Sequence, residues 1–417
     1  MDRAKRIDSR SPMKNPPKLA QLSVLTLAFG LSQAFRTIPS ITVNGIAEEL
    51  QAGPAALALF GGVFHWSFAL MQVPVGLALD IFGVRRALIA LSGFAILGGA
   101  ICTFAPDMNA LFLGQILIGA GCAPAFMAAI VFTSQHWPAR RFAAISGLVL
   151  AIGSGGMLLS ATPLAWVIDR WSWRSAFAVL TILSIFTLAA SALVLEKSAV
   201  QRSRRLASEI LTAFYGLGPV LFGRRPVALL AIGFVSYGAI ITIRGLWVVP
   251  MFVERYGLSL LSAGNVALLF SISMILGPAV IGQLDPGDKA RPTVITIIAL
   301  AIAAAIGALA IFDGLSLWLD VMLCIAVGFL SGSFILIYAE SRGCYPPELI
   351  GRGMTALNMS FFLGAAVAQS LSGVIAAGAQ QAGWNAIDAV LLFLSAALLA
   401  GAACFFTLIR TAKPSVS

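Results

Sequence analysis

Two arginines, Arg36 and Arg244, interrupt long apolar runs and lie 208 residues apart. An arginine near the middle of a membrane-spanning helix costs about 2.5–3.5 kcal/mol on insertion scales. It persists where it meets a polar cavity, a ligand or a partner. No aspartate or glutamate lies deep in any apolar run, so no internal carboxylate is on offer. A guanidinium presents a planar fork of donors that matches carboxylate or phosphate bidentately. The pair therefore reads as an anion site with two charge clamps. The competing reading is that each side chain snorkels to an interface, toward Glu48 and Glu254 about three turns beyond.

Softer candidates surround them. His65, beside Trp66 in the middle of an apolar run, can carry a proton and so supply coupling, or can be a hydrogen-bonded core histidine. Gln115, Tyr237, Trp247 and Tyr338 are candidate substrate contacts, as are Asn358 and Gln369; each can equally be a packing hydrogen bond. His136 reads as a solvated loop residue. The five cysteines show no metal-ligand spacing and read as small packing groups. No metal and no cofactor is expected. The sequence holds no His-Glu-x-x-His, no Gly-x-Ser-x-Gly and no lysine-bearing phosphate loop, so it does not read as an enzyme.

The elements that must position these groups follow from composition. Of 417 residues, 59% are hydrophobic and only 11% charged. Soluble domains carry about 25% charged residues. Most of this surface must face lipid. A spanning helix needs about 20 mostly apolar residues, which gives twelve spans: 19–45, 54–79, 86–105, 110–133, 142–168, 174–195, 226–253, 260–284, 292–312, 317–339, 353–378 and 384–409. The first run is too long for a signal-peptide core. The chain divides into a tail 1–18, a six-helix bundle 19–195, a basic linker 196–225, a second bundle 226–409 and a tail 410–417.

Lysine and arginine placement sets the orientation. Of the 27, 22 fall on the side of the termini and the middle linker, and three (Arg170, Arg174, Arg255) on the other. Both termini are expected in the cytoplasm, in a multi-pass protein of the cell inner or plasma membrane. The net charge of +10 then reports topology and lipid contact rather than nucleic-acid binding.

A repeat organises the chain. Trp137-Pro138 matches Tyr345-Pro346, and Arg36 matches Arg244, both at 208 residues; Gly153 matches Gly364 and Trp173 matches Trp384, both at 211. A six-helix unit used twice places two parallel halves about an axis along the membrane normal, with a binding site where they meet.

Between the second and third runs lies Gly76-Leu77-Ala78-Leu79-Asp80-Ile81-Phe82-Gly83-Val84-Arg85-Arg86. Gly76 allows close helix approach, Gly83 a tight reversal, and Asp80 an ion pair or a place at a helix N-terminus. This segment resembles the signature loop of the major facilitator superfamily. A degraded copy runs from Gly282 to Arg291, and Trp173-Arg174-Ser175-Ala176-Phe177 is similar to the family's turn after the fifth helix. The resemblance covers the whole chain. It implies an all-α fold of twelve transmembrane helices in two pseudo-two-fold bundles, with alternating access about a central site. Gly76, Asp80, Gly83, Arg85 and Arg86 would form a conformational latch; the alternative is that the charged members only fix topology. In that family helices 1, 4, 7 and 10 line the cavity, so Arg36 and Arg244 would face each other across it. Paired arginines on helices 1 and 7 resemble the organophosphate-exchanger branch.

Two departures weigh against proton-driven drug efflux. Gln115 stands four residues before Gly119, where many members carry arginine, and the glycine ladder at 147–156 has no proline directly after it. The expected function is a secondary transporter for a small organic or phosphorylated anion, coupled to protons or a counter-anion and working as a monomer among membrane lipids. Efflux of apolar compounds and a non-transporting sensor are the alternatives.

Overall fold

The structure is a computed structural model that describes residues 16–137, 139–196, 223–342, 344 and 350–411. The tail 1–15, most of the expected linker and the residues after 411 lie outside the described residues.

The described chain is built of helices. Among the described residues, eleven helical segments are long and apolar enough to cross a membrane. The first span makes twelve: it runs Pro16–Thr37 and continues as Pro39–Leu50. Pro39 lacks an N–H, so the joint falls at Ile38–Pro39. Spans 2 and 3 form one continuous run, Pro54–Thr103, reversed at Gly83, whose φ of 75° and ψ of 166° suit glycine alone. Span 4 is Met108–Cys122 and Pro124–His136; span 5 runs from Ala139–Ser154 through a 3-10 turn to Thr162–Arg170; span 6 is Trp173–Val194. In the second half, span 7 joins Arg224–Thr242 and Val248–Tyr256 through a π-helical turn, Ile243–Trp247. Spans 8 and 9 are Leu260–Gln283 and Arg291–Ile311. Span 10 runs from Leu317–Leu330 to Phe334–Arg342, and spans 11 and 12 are Ile350–Gln381 and Ala386–Thr411. Each expected span is present, most ends moving by a few residues. The first, fifth and eleventh begin three residues earlier, and the first, seventh and eleventh run on by three to five residues at the end opposite the termini, called distal below. There polar and charged side chains such as Glu49 and Arg255 emerge. Exposed Trp166, Trp171, Trp318 and Trp384 also lie at distal helix ends, where indole rings favour a membrane interface.

The two halves pack by the same device. A Cβ on Gly153 would overlap the Phe29 ring, and one on Gly364 would overlap the Phe234 backbone. These are span 5 on span 1 and span 11 on span 7, the small-residue approach that membrane helices use in place of hydrophobic drive.

Between the halves, the seam is tight at the distal end. Span 2 packs on span 11, where a Cβ on Gly373 would crowd Ala55 and Ala58, and one on Gly62 would crowd Ser370. Span 5 meets span 8 where Thr162 donates to Asn265 Oδ1 at 2.6 Å. Gly76 was expected to serve close helix approach, but a Cβ there would meet nothing within 4 Å. The side chain of Asp80 lies outside the described residues. Of the other expected latch residues, Arg85 Nη2 donates to the Ala192 carbonyl at 2.8 Å, which ties the loop to the end of span 6, and Arg86 is exposed. In the degraded copy of the second half, Arg291 binds Asp285 at 2.8 Å, Asp288 at 2.7 Å and buried Glu340 at 3.5 Å. His136, expected in a solvated loop, ends a helix; its ring stacks on Phe132 with centroids 4.1 Å apart.

Candidate functional site

Both arginines are buried, Arg36 at 4% exposure and Arg244 at 0%. Among the described residues neither bonds a carboxylate, and neither snorkels toward Glu48 or Glu254. Their surroundings differ sharply.

Arg36 lies in the last turn of the first segment of span 1, just before the proline joint. Its guanidinium carbon lies 5.0 Å from the ring centre of Phe68 on span 2 and 4.7 Å from that of Phe362 on span 11. Each such cation–π contact is worth about 0.5–2 kcal/mol, rising with desolvation. Nη1 donates to the Tyr237 hydroxyl of span 7 at 3.1 Å. Buried Nε has no hydrogen-bond partner. Arg36 thus keeps donor capacity at the seam between the halves, held by neutral aromatic groups that leave its charge uncompensated. The Tyr237 ring stacks on Phe361, and Phe361 meets Tyr338 edge-on at 5.3 Å, so Tyr338 is one ring removed from the site. Its own hydroxyl donates to Asn358 at 2.9 Å.

Arg244 sits in the π-helical turn, a rare element that often marks functional positions. Nε donates to Ser271 Oγ of span 8 at 2.6 Å. Nη1 donates to Ser40 Oγ of span 1 at 3.2 Å, and Nη2 to the Met157 carbonyl of span 5 at 3.3 Å. All three nitrogens are engaged, two of them by the other half. Met157 is available because the 3-10 turn Gly155–Leu158 breaks the regular ladder of span 5. The arginines were expected to form a matched pair of wetted clamps. In this conformation one has free donors and the other is sealed by protein hydroxyls and a carbonyl.

The remaining candidates scatter. His65 is fully buried, its Nδ1 3.3 Å from the Gly61 carbonyl, with Nε2 unpaired. Its neighbour ring Phe64 stacks on Phe68, one wall of the Arg36 site. Gln115 is fully buried with both amide heteroatoms unpaired, and nothing places it against either arginine. Trp247 donates to Ser372 at 2.9 Å, a brace between spans 7 and 11. Gln369 donates to the Ile241 carbonyl at 3.4 Å from the same face of span 11.

The residues missed in the sequence are Phe68, Phe362, Ser40, Ser271 and the Met157 backbone. Ser40 lies one turn beyond Arg36 and carried a weak signal by spacing. Ser271 meets Arg244 across 27 residues of chain, and nothing local announces that. No group of three or more His, Cys, Asp or Glu side chains capable of holding a metal occurs among the described residues.

Comparisons with known proteins agree with this architecture. Over 268 residues the chain is 27% identical to the uncharacterized transporter YybO of Bacillus subtilis, covering 60% of each. It is 25% identical to the probable galactarate/D-glucarate transporter GarP of Escherichia coli, over 45% of this chain and 44% of that one. The chain thus spans about half the length of these curated relatives. In fold it is similar to a D-xylose–proton symporter, with a TM-score of 0.73 at 14% identity, over 95% of this chain and 98% of that one. A peptide transporter POT solved with sulfate gives 0.75 at 12% identity, over 96% of both. The family model described as Major Facilitator Superfamily matches residues 25–369. That match takes in both arginines, the signature loop and most of both duplicated halves, and the chain belongs to the Major Facilitator Superfamily.

Proposed function

We propose that this transporter carries a small organic or phosphorylated anion by alternating access, with Arg36 as the charge that receives it. The carrying observation is a buried guanidinium at the seam of the halves with an unpaired Nε and no carboxylate partner among the described residues. Burying such a charge without a counter-ion is unfavourable unless a ligand completes it. An anion bound bidentately does so, and the aromatic walls Phe68 and Phe362 exclude water that would weaken the contact. Tyr237 is placed to add a hydroxyl. Arg244 offers a second charge once its present partners release it. His65, behind the Phe64–Phe68 wall of the Arg36 site, is the candidate for proton coupling. Relatives named for galactarate/D-glucarate transport in Escherichia coli and Bacillus subtilis, and a probable anion transporter of Arabidopsis thaliana, support an anionic substrate.

The aromatic lining is the one observation on the side of apolar efflux, and a Mycobacterium tuberculosis multidrug resistance protein is also similar, at 26% identity. A proteoliposome uptake screen separates the readings. Charged metabolites, sugar acids and phosphorylated compounds among them, are expected to accumulate, and Arg36→Ala to reduce that flux at least about a hundredfold, the scale of a lost buried charge contact. Arg36→Lys keeps the charge but not the fork, and is expected to raise KM more than it lowers the maximal rate. Full anion transport by Arg36→Ala overturns the proposal.

A further inference from the structure

The asymmetry between the arginines points to a separate task for Arg244. We propose that Arg244, with Ser40, Ser271 and the Met157 carbonyl, is the strut that holds the distal gate shut. This does not rest on the anion reading: it concerns the carrier with nothing bound.

Arg244 belongs to the second half, and two of its three hydrogen bonds end on the first. Ser40 lies on the distal segment of span 1, and Met157 on the 3-10 turn that starts the distal part of span 5. These are the stretches that seal the seam. Val43, less than one turn beyond Ser40, is buried in a small apolar cluster with Ala58 of span 2 and Leu246 of span 7. Thr162 and Asn265 close the span 5–span 8 contact on the same side. Ser271, on span 8, anchors the guanidinium from its own half. Ser271 and Ser40 donate in turn to the backbone carbonyls of Ala267 and Thr37, at 2.8 and 2.9 Å, so each hydroxyl proton is committed and a lone pair is left for the guanidinium.

Parting the halves at the distal end breaks both cross-half bonds together. A guanidinium left unpaired in a region of low dielectric is unfavourable, so the strut opposes opening until water or a ligand replaces the lost acceptors. The π-helical turn serves this geometry. Its i to i+5 bonding lets Val248 N–H reach the Ile243 carbonyl and shifts the register of Arg244 relative to a plain α-helix. Arg36 has no comparable part: its one hydrogen bond across the seam goes to the Tyr237 phenol, and its other contacts are ring faces. The gate is therefore locked by one arginine while the other keeps a buried donor free.

The test is the solvent reactivity of a cysteine placed behind the gate, measured without substrate. With Val43→Cys in lipid nanodiscs, a charged maleimide reports how often the distal seam opens. Adding Ser40→Ala is expected to speed modification about tenfold, the effect of losing one hydrogen bond to a charged group. Arg244→Met is expected to speed it further, while a control cysteine at exposed Leu315 reacts at an unchanged rate. Unchanged modification at Val43→Cys in the Ser40→Ala protein overturns the strut. So does equal acceleration at the Leu315 control, which reports general loosening. Ser40→Ala removes a single oxygen, so it decides the matter even where Arg244→Met fails to fold. Loss of anion transport with the strut intact would count against the anion reading alone.

Discussion

The two halves of this chain carry the same parts with opposite electrostatics at their distal ends. In the first half, Glu49 at the end of span 1 binds Arg174 at the start of span 6, and Arg174 also donates to the Ala105 carbonyl after span 3 at 2.8 Å. In the second half, Arg255 at the end of span 7 binds Asp388 at the start of span 12, and also donates to the Leu309 carbonyl of span 9 at 2.7 Å. Acid and base have exchanged helices. The second clasp is also larger: Arg255 binds Asp313 at 2.6 Å and fully buried Asp320 at 3.1 Å, and Tyr256 donates to Asp320 at 3.0 Å. A duplicated fold needs each clasp to hold three helix ends together; it does not fix which helix supplies which sign. The same freedom lets Arg36 and Arg244 keep matching positions while taking different partners.

The largest expected effect that sharpens this comparison is Arg255→Met. It strands three aspartates, one of them fully buried, and is expected to destabilise the protein by about 3–5 kcal/mol, seen as a large fall in Tm in detergent. Arg174→Met breaks a pair whose side chains are 27% and 49% exposed, and is expected to cost about 0–1 kcal/mol. Equal losses would break the contrast.

Next come the matched glycines. Gly364→Ala drives a methyl into the Phe234 backbone and is expected to lower stability by about 3 kcal/mol, the upper part of the overpacking range. Gly153→Ala meets the Phe29 ring, which can rotate away, and is expected to cost about 1 kcal/mol. Thermal unfolding of the two variants side by side checks the order.

The smallest effect concerns the proximal loops. The Arg291 guanidinium, through its hydrogen bonds, holds the Asp285 carboxyl below the usual carboxylate range. A lowered folded-state pKa stabilises fully above the unfolded value, about 3.9, and that contribution fades as pH falls through the folded value. Asp285→Asn is therefore expected to lower Tm slightly near neutral pH and to converge with the parent protein in strong acid. A gap that persists in acid would remove the ion pair as its cause. Span 6 ends near the first-half loop, where Arg85 donates to the Ala192 carbonyl. No such acid dependence is expected from that contact.

How much was legible beforehand follows from which signals are local. Helix count, span limits and duplication rest on composition and spacing, and Gly83 at a reversal rests on the one residue that tolerates its dihedral angles. The absence of acids in the apolar runs left two readings of both arginines, a buried anion site or snorkelling to an interface, and burial decides against the second. Their different fates left no local signal. Ser40, Ser271 and the Met157 carbonyl reach Arg244 from three spans, and Phe68 and Phe362 reach Arg36 from two more. Gly76 has open space where a Cβ would stand, because a glycine's spacing marks only a potential contact and the packing around it decides whether the contact is made.

The sequence by itself determined that this chain lies in a membrane as two copies of one six-helix unit, because lipid demands long apolar helices and duplication leaves its offset in the residue numbers. Only the tertiary structure decided which arginine is free and which is locked. Hydrogen-bond partners across a seam are set by how two halves meet, and no local pattern along either half encodes that meeting.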